Sequence, residues 1–185
     1  MLKKIPVLLA LLILAIPLQA RKKAPAMDII EDRGFKSSSY AKLIVGKVSS
    51  TEFEKTISHI KNYDAVADQI DDMNLALKGE LERYAEREFA RGKGSKTLKV
   101  SAVMTKFNAG STAAAMWVGA GGNGMCAYEI HFWDGTKDVA SFETVQRIAR
   151  IKHGGWGPQD ITGSQSRAQI PKQIVDLVDE FLADH

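Results

Sequence analysis

The sequence predicts an α+β protein: a two-layer sandwich with a mixed four-stranded sheet and two helices packed on one face. Two observations carry this prediction. Apolar residues recur at helical spacing in one long segment and in the C-terminal segment, whereas strand-like alternation fills the region between them. The resulting order is β-α-β-β-β-α. A crossover through the long helix makes the first two strands parallel, and tight connections make the remaining strands antiparallel.

Length and composition favour one globular domain. The chain has 185 residues, of which 45% are hydrophobic and 25% are charged, and this is enough to bury a core. The formal net charge is +3, and it falls to +1 when residues 1–20 are set aside, because two lysines lie in that segment. So balanced a charge gives no reason to expect nucleic acid as a partner.

Residues 1–20 have the pattern of a signal peptide. Two lysines precede an apolar run from Ile5 to Leu18, and Ala20 is a small residue at the expected cleavage point. The run is shorter than the about 20 residues that a spanning helix needs. We therefore expect export to the periplasm or outside the cell, with cleavage. The basic residues 21–23 leave an uncleaved inner-membrane anchor as the alternative, and only that outcome predicts membrane attachment.

The only cysteine, Cys126, excludes an intramolecular disulfide, and no cysteine ends the leader to carry a lipid anchor. Its position inside a predicted strand favours a small buried hydrophobe. An intermolecular disulfide is the alternative.

The first half of the mature chain contains one strand and one strong helix. Residues 21–38 are predicted to be a linker or extended arm, and residues 39–185 a single domain. Tyr40 to Val48 predicts a buried strand, and Thr51 three residues before Glu54 predicts a capped short helix. A long helix is expected from Asp64 to Gly92. Its apolar stripe consists of Val66, Ile70, Met73, Leu77, Leu81, Tyr84 and Phe89.

The second half contains three strands and a helix. The strands are expected over Thr97 to Phe107, Met125 to Asp134 and Asp138 to about Lys152, and the last helix is expected to begin near Pro171. The Asp134-Gly135-Thr136-Lys137 segment predicts a hairpin turn. In the middle strand, Cys126, Tyr128, Ile130 and Phe132 share one face, and Glu129, His131 and Trp133 share the other.

A glycine-rich stretch, Gly119 to Gly124, spells G-x-G-x-x-G. A dinucleotide site requires a strand before such glycines and a helix after them, so that the phosphate meets the positive end of the helix dipole. Here an alternating, strand-forming segment follows instead. The stretch therefore predicts a tight entry to an antiparallel strand, and no cofactor is expected.

Short motifs carry a resemblance to a known family. They are Phe107-Asn108-Ala109-Gly110-Ser111 at a strand end and Val118-Gly119-Ala120-Gly121-Gly122 before the next strand, followed by an Asp-Gly turn, a further strand, a glycine-bearing loop and an amphipathic helix. On these residues the chain from Leu98 onward resembles family 4410 of the domains of unknown function, a group of bacterial envelope proteins. The resemblance implies export and this fold, but no activity and no catalytic residue. Family members look like secreted proteins or lipoproteins, and this chain departs from the lipoprotein pattern.

Catalytic and metal-binding patterns are weak. Glu129 and His131 project from one side of a strand, but a metal site needs at least one further ligand, and no H-E-x-x-H or paired-cysteine motif occurs. Cys126 and His131 are five residues apart on one strand and therefore face opposite sides. We expect no metal site and no enzymatic activity.

The predicted topology brings several residues to one end of the sheet. The end of the first strand, the connection between the second and third, and the loop after the fourth share that end. We expect a binding surface there formed by Asn108, Gly110, Trp117, Gly121, Asn123, His153 and Trp156. Tryptophans are enriched in recognition surfaces, and glycines allow close backbone approach. The alternative is that the two tryptophans only close the end of the core.

The sequence thus favours a non-enzymatic protein-interaction or assembly module of the bacterial cell envelope. It would bind a partner protein or a second copy through this loop end or an exposed sheet edge. One alternative is a periplasmic protein that binds a small ligand, a lipid or glycan fragment, in a pocket under the two tryptophans. Another is a hydrolase whose site is assembled from distant residues.

Overall fold

The computed structural model describes residues 27–59, 63–87, 89, 94–108, 124–148 and 163–185. The strands are β1 (Met27–Asp32), β2 (Tyr40–Ser49), β3 (Lys96–Asn108), β4 (Gly124–Asp134) and β5 (Lys137–Ile148). The helices are α1 (Thr51–Ile57), α2 (Tyr63–Arg87) and α3 (Gly163–Asp184), and a 3-10 turn covers Ser37–Ser39. The strands form one mixed sheet in the order β1-β5-β4-β3-β2, which confirms the α+β class.

The sheet has five strands and not the predicted four, because β1 lies inside the segment predicted to be a linker or extended arm. β1 pairs antiparallel with β5, from Met27 opposite Thr144 to Asp32 opposite Ala140. Its residues are mostly exposed and lack the alternation that identifies a half-buried strand. A free edge of β5 supplies hydrogen-bond partners for β1, and this pairing is invisible in a local pattern.

The described residues contain three helices, whereas the predicted sandwich had two helices packed on one face of the sheet. The short segment after β2 does form a helix, α1, but Ser50 and not Thr51 occupies the position before its first residue. The amide of Glu54 donates to the Ser50 carbonyl oxygen at 2.8 Å, and the Ser50 hydroxyl bonds the Glu54 carboxylate. Its apolar residues Phe53 and Ile57 pack against the core that α2 and α3 share.

The last helix begins earlier than predicted. α3 starts at Gly163, so Pro171 lies inside the helix and not at its first turn. Proline in a helix interior forgoes one backbone hydrogen bond. Pro171 is buried, and its apolar contacts offset that loss.

The core lies between the helices and one face of the sheet. The predicted stripe of α2 is buried at Ile70, Met73, Leu77, Leu81 and Tyr84, whereas Phe89 is buried beyond the end of the helix. α3 contributes Ile170, Ile174, Val178 and Phe181. The predicted inward set of β4, Cys126, Tyr128, Ile130 and Phe132, has no exposed surface, which confirms the assignment of its two faces.

The strand directions agree with the predicted topology. β2 runs parallel to β3, and the other pairs are antiparallel. Gly135, the first of the two residues that connect β4 to β5, has a φ of 64°, a value that glycine adopts without steric cost. This hairpin therefore occupies one end of the sheet, and Ser49, Asn108, Gly124 and Ile148 lie toward the other.

Candidate functional site

The predicted loop-end site is only partly within the described residues. Asn108 ends β3, is exposed and lies opposite Met125 of β4. The strand ends that flank the predicted surface do lie at one end of the sheet, as the topology required. The other predicted site residues lie outside the described residues: Gly110, Trp117, Gly121, Asn123, His153 and Trp156.

A chain of hydrogen bonds runs from the core to the surface at this end of the sheet. The Tyr128 hydroxyl donates to Asn74 Oδ1 at 3.0 Å, and Asn74 Nδ2 donates to the Ser50 hydroxyl at 2.9 Å. Ser50 in turn bonds the Glu54 carboxylate, which also accepts from the Tyr63 hydroxyl at 3.2 Å. Burial raises the pKa of Tyr128. The phenol therefore stays neutral and donates.

One residue in the sequence, Asn74, signals this series of hydrogen bonds, although the helix stripe alone does not predict it. Asn74 falls beside Met73 on the buried side of α2, where it is 9% exposed. A polar residue on an apolar stripe must find a partner or pay for its desolvation. The partners come from the sheet and from the start of α1, and the chain of bonds fixes these elements to α2.

The opposite face of the sheet, which we call the open face, presents the alternate residues of β3, β4 and β5. Three contacts join its strands. Trp133 Nε1 donates to the Ser101 hydroxyl at 2.8 Å, and the Lys99 ammonium lies 5.2 Å from the Trp133 ring centre. The Thr105 hydroxyl donates to Glu143 at 3.3 Å across β4. These bonds make the middle of the open face a polar, ordered surface.

His131 lies at the centre of the open face between two carboxylates. Its Nδ1 is 2.8 Å from Asp138 Oδ2, and its Nε2 is 3.6 Å from Glu129. Within the described residues no hydroxyl or thiol is hydrogen-bonded to this imidazole. Cys126 faces the core instead, as the strand alternation predicted.

No group of three or more His, Cys, Asp or Glu side chains in the described part of the chain is arranged to hold a metal ion. Of the other histidines, His153 lies outside the described residues, and His59 is exposed just after α1. His185 is engaged in packing. Its ring stacks on Phe181 with centres 4.3 Å apart, and its Nδ1 lies 2.8 Å from the Phe181 carbonyl oxygen.

Exposed apolar side chains are concentrated on the sheet. The described residues include six large hydrophobics with substantial exposure, of which five lie on strands. Ile29 and Ile30 belong to β1, Ile44 to β2, Met125 to β4 and Val145 to β5. The sixth, Leu75, lies on the solvent side of α2. The sheet is therefore the main apolar surface that the described part of the chain presents.

A groove between α2 and α3 has different chemistry. It encloses about 260 Å³ and is lined mainly by charged groups of both signs, including Arg83, Arg87, Lys172 and Asp176. The Tyr84 hydroxyl donates to Asp179 at its wall at 2.7 Å. This charged groove differs from the apolar pocket that was expected under Trp117 and Trp156. Both tryptophans lie outside the described residues.

Comparison with known proteins finds no family model that matches this chain and no curated protein with significant similarity to it. Among the helices that the structure describes, none is long and apolar enough to cross a membrane.

Proposed function

We propose that this protein is a non-enzymatic interaction or assembly module of the bacterial cell envelope, exported by its N-terminal leader. One observation carries the proposal: five of the six exposed large hydrophobics in the described residues lie on the sheet, and three of them, Ile44, Met125 and Val145, lie on its open face. Helices α1, α2 and α3 all pack on a single core cluster, so no described helix covers the open face. A protein partner would bury these side chains and gain their transfer free energy.

The pattern of charge and polarity also supports a protein partner. An ordered polar centre, built around His131 and Trp133, is bordered by Met125 and Val145 toward the loop end. Tryptophan beside polar groups and scattered apolar anchors is the composition of many protein interfaces. The resemblance to family 4410 supports the envelope location, and it stays a prediction, as does cleavage of the leader.

Site-specific photo-cross-linking tests the proposal. A photoreactive amino acid is placed at Met125 or Val145 in cells that produce the chain with its own leader, and at Leu75 as the matched control. Leu75 is 72% exposed but lies on α2, on the far side from the open face. We expect a discrete protein adduct at the two sheet positions and none at Leu75.

Two results would contradict the proposal. If Met125 and Val145 form adducts only with small molecules and not with proteins, the result would favour the small-ligand alternative. Labelling at Met125 and Val145 that does not exceed that at Leu75 would show that the open face contacts no protein.

A further inference from the structure

The two edges of the sheet carry opposite charge. β1 contributes three acidic residues, Asp28, Glu31 and Asp32, and no basic residue. β2 contributes Lys42 and Lys47 and no acidic residue. Both strands end the sheet, so each has one side of its backbone without a strand partner in the described part of the chain.

Two acids of β1 and Lys42 of β2 lie on the same face of the sheet, whereas Asp32 pairs with Ala140 on the core face. Asp28 pairs with Glu143 and Glu31 with Ser141, which places both acids on the open face, since directly paired residues share a side. Lys42 is two residues from Ile44, which pairs with Lys99 on the open face. β1 contains one bulge, after Ile29, and β2 contains two irregularities, after Tyr40 and after Val45, the second of which includes the exposed Lys47.

An exposed isoleucine lies between the charges on each edge. Ile30, 55% exposed, lies in the β1 bulge between Asp28 and Glu31 along the chain, and Ile44, 40% exposed, lies between Lys42 and Lys47 along β2. Within the described residues Asp28, Lys42 and Lys47 form no ion pair, whereas Glu31 contacts Arg33. The edges therefore present acid–isoleucine–acid on one side and lysine–isoleucine–lysine on the other.

The geometry points to a second copy of this chain as the partner, bound head to tail, with β1 of one copy pairing with β2 of the next. This inference rests on the proposed function and extends the assembly role from the open face to the two edges of the sheet. The pairing would continue the sheet from one molecule to another by strand addition. Since the two joined edges differ, each added copy leaves a free β1 and a free β2, so assembly extends as an open series.

Strand direction agrees with this arrangement. β2 is parallel to β3, and three antiparallel pairings separate β3 from β1, so β1 and β2 run in opposite directions. Two copies in the same orientation, placed side by side, therefore meet in an antiparallel pair with their open faces on the same side. In that pair the acidic edge of one copy would face the basic edge of the next.

The charges also disfavour the symmetric alternatives. Edge charges and bulges are devices by which proteins block edge pairing, and β1 against β1 would place acids opposite acids. β2 against β2 would place lysines opposite lysines. Because like charges directly across a strand pair are destabilising and opposite charges are stabilising, only the unlike pairing remains favourable.

Disulfide trapping tests the inference on the purified chain. Because β1 has only six residues, the contact is short and covalent capture is needed to detect it. A chain with Ile30→Cys is mixed with a chain with Ile44→Cys and oxidised mildly; the wild-type chain controls for Cys126. We expect the unlike 30–44 dimer to exceed both like dimers. A chain carrying both substitutions should form a ladder, and Leu75→Cys with Ile44→Cys is the control for random collision.

Charge reversal then tests the cause. Asp28→Lys with Glu31→Lys on the Ile30→Cys chain should lower the yield of the 30–44 dimer about tenfold. Lys42→Glu with Lys47→Glu on the partner chain should restore it. The inference is overturned if the yield of the 30–44 dimer does not exceed that of the Leu75→Cys control. It is also overturned if neither charge reversal changes that yield. If Met125 and Val145 still cross-link to a different envelope protein, that result leaves the proposed function supported. If they cross-link to no protein, both the inference and the proposed function are contradicted.

Discussion

Tyr128 on the sheet and Asn74 on α2 are joined by a 3.0 Å hydrogen bond in the interior of the protein. Tyr128 has no exposed surface and Asn74 is 9% exposed, so water cannot replace either partner. The bond continues through Ser50 to the first turn of α1. A single polar residue on α2 therefore fixes both the sheet and α1.

Substituting Asn74 should destabilise the protein through the partner that it leaves behind. Asn74→Ala removes the acceptor of the buried Tyr128 hydroxyl, and an unsatisfied buried donor costs about 1–3 kcal/mol. Urea unfolding of Asn74→Ala, Tyr128→Phe and the double variant measures this cost. The double variant should lose less stability than the sum of the single variants, and losses that add within about 0.5 kcal/mol would mean that the two side chains are not coupled.

Two glycine-to-alanine substitutions should change stability in opposite directions. A Cβ at Gly79, inside α2, meets no atom within 4 Å, so Gly79→Ala should stabilise the protein by about 1 kcal/mol through helix propensity. A Cβ at Gly94 would lie 2.0 Å from the Ser39 carbonyl oxygen, so Gly94→Ala should destabilise it by more than about 1 kcal/mol. Thermal unfolding of both variants checks the pair. Equal effects would contradict the close approach of the chain at Gly94.

Acidification should remove a contact at the hairpin end of the sheet. Asp134 accepts from the Lys96 ammonium at 2.9 Å and from the Tyr40 hydroxyl at 3.3 Å, and the bond from Lys96 is the main cause that holds the pKa of Asp134 below its ordinary value of 3.8. A carboxyl with a lowered pKa in the folded state stabilises the protein above its unfolded-state pKa and loses that contribution as the pH falls through the folded value.

Asp134→Asn should therefore be less stable than the wild type at pH 7, and the difference should shrink below about pH 4. Urea unfolding across this pH range measures the difference, and Lys96→Met is the control, since it should reduce the effect of Asp134→Asn at pH 7. A difference that does not change with pH would show that the Asp134 charge contributes nothing.

Cys126 should be unreactive in the folded protein. Burial raises the pKa of its thiol from 9.0 to about 12, which lowers the thiolate fraction at pH 8 about a thousandfold. Labelling with an aromatic disulfide reagent should be slow in buffer and fast in urea, and Leu75→Cys supplies the exposed control. Rapid labelling of Cys126 under native conditions would contradict its place in the core. It would instead favour the alternative that Cys126 forms an intermolecular disulfide.

Local periodicity was enough to predict the elements that face the core. The period of two on β4 separated Tyr128 and Phe132 from His131 and Trp133, because a strand alternates its side chains between core and surface. The stripe on α2 and the Asp134–Lys137 turn were predicted for equally local reasons. Each of these features depends on residues that are neighbours in the sequence.

Features that depend on a distant partner were missed. β1 has no apolar alternation, and only its pairing with β5 makes it a strand. Pro171 was expected at a helix start, but burial of its ring keeps it inside α3. The backbone oxygen of His185 accepts from the Ser37 amide at 3.1 Å, which ties the C-terminus to the start of β2 through a contact with no sequence signal.

The sequence by itself determined the α+β class, the long amphipathic helix, the faces of β4 and the pairing directions of the four predicted strands, because hydrophobic periodicity and turn chemistry act over a few residues. Only the tertiary structure decided which strands end the sheet and therefore that acidic β1 and basic β2 form its opposite edges. Edge position depends on which strands find partners across the whole chain. The residues next to a strand in the sequence therefore do not predict whether that strand lies at an edge of the sheet.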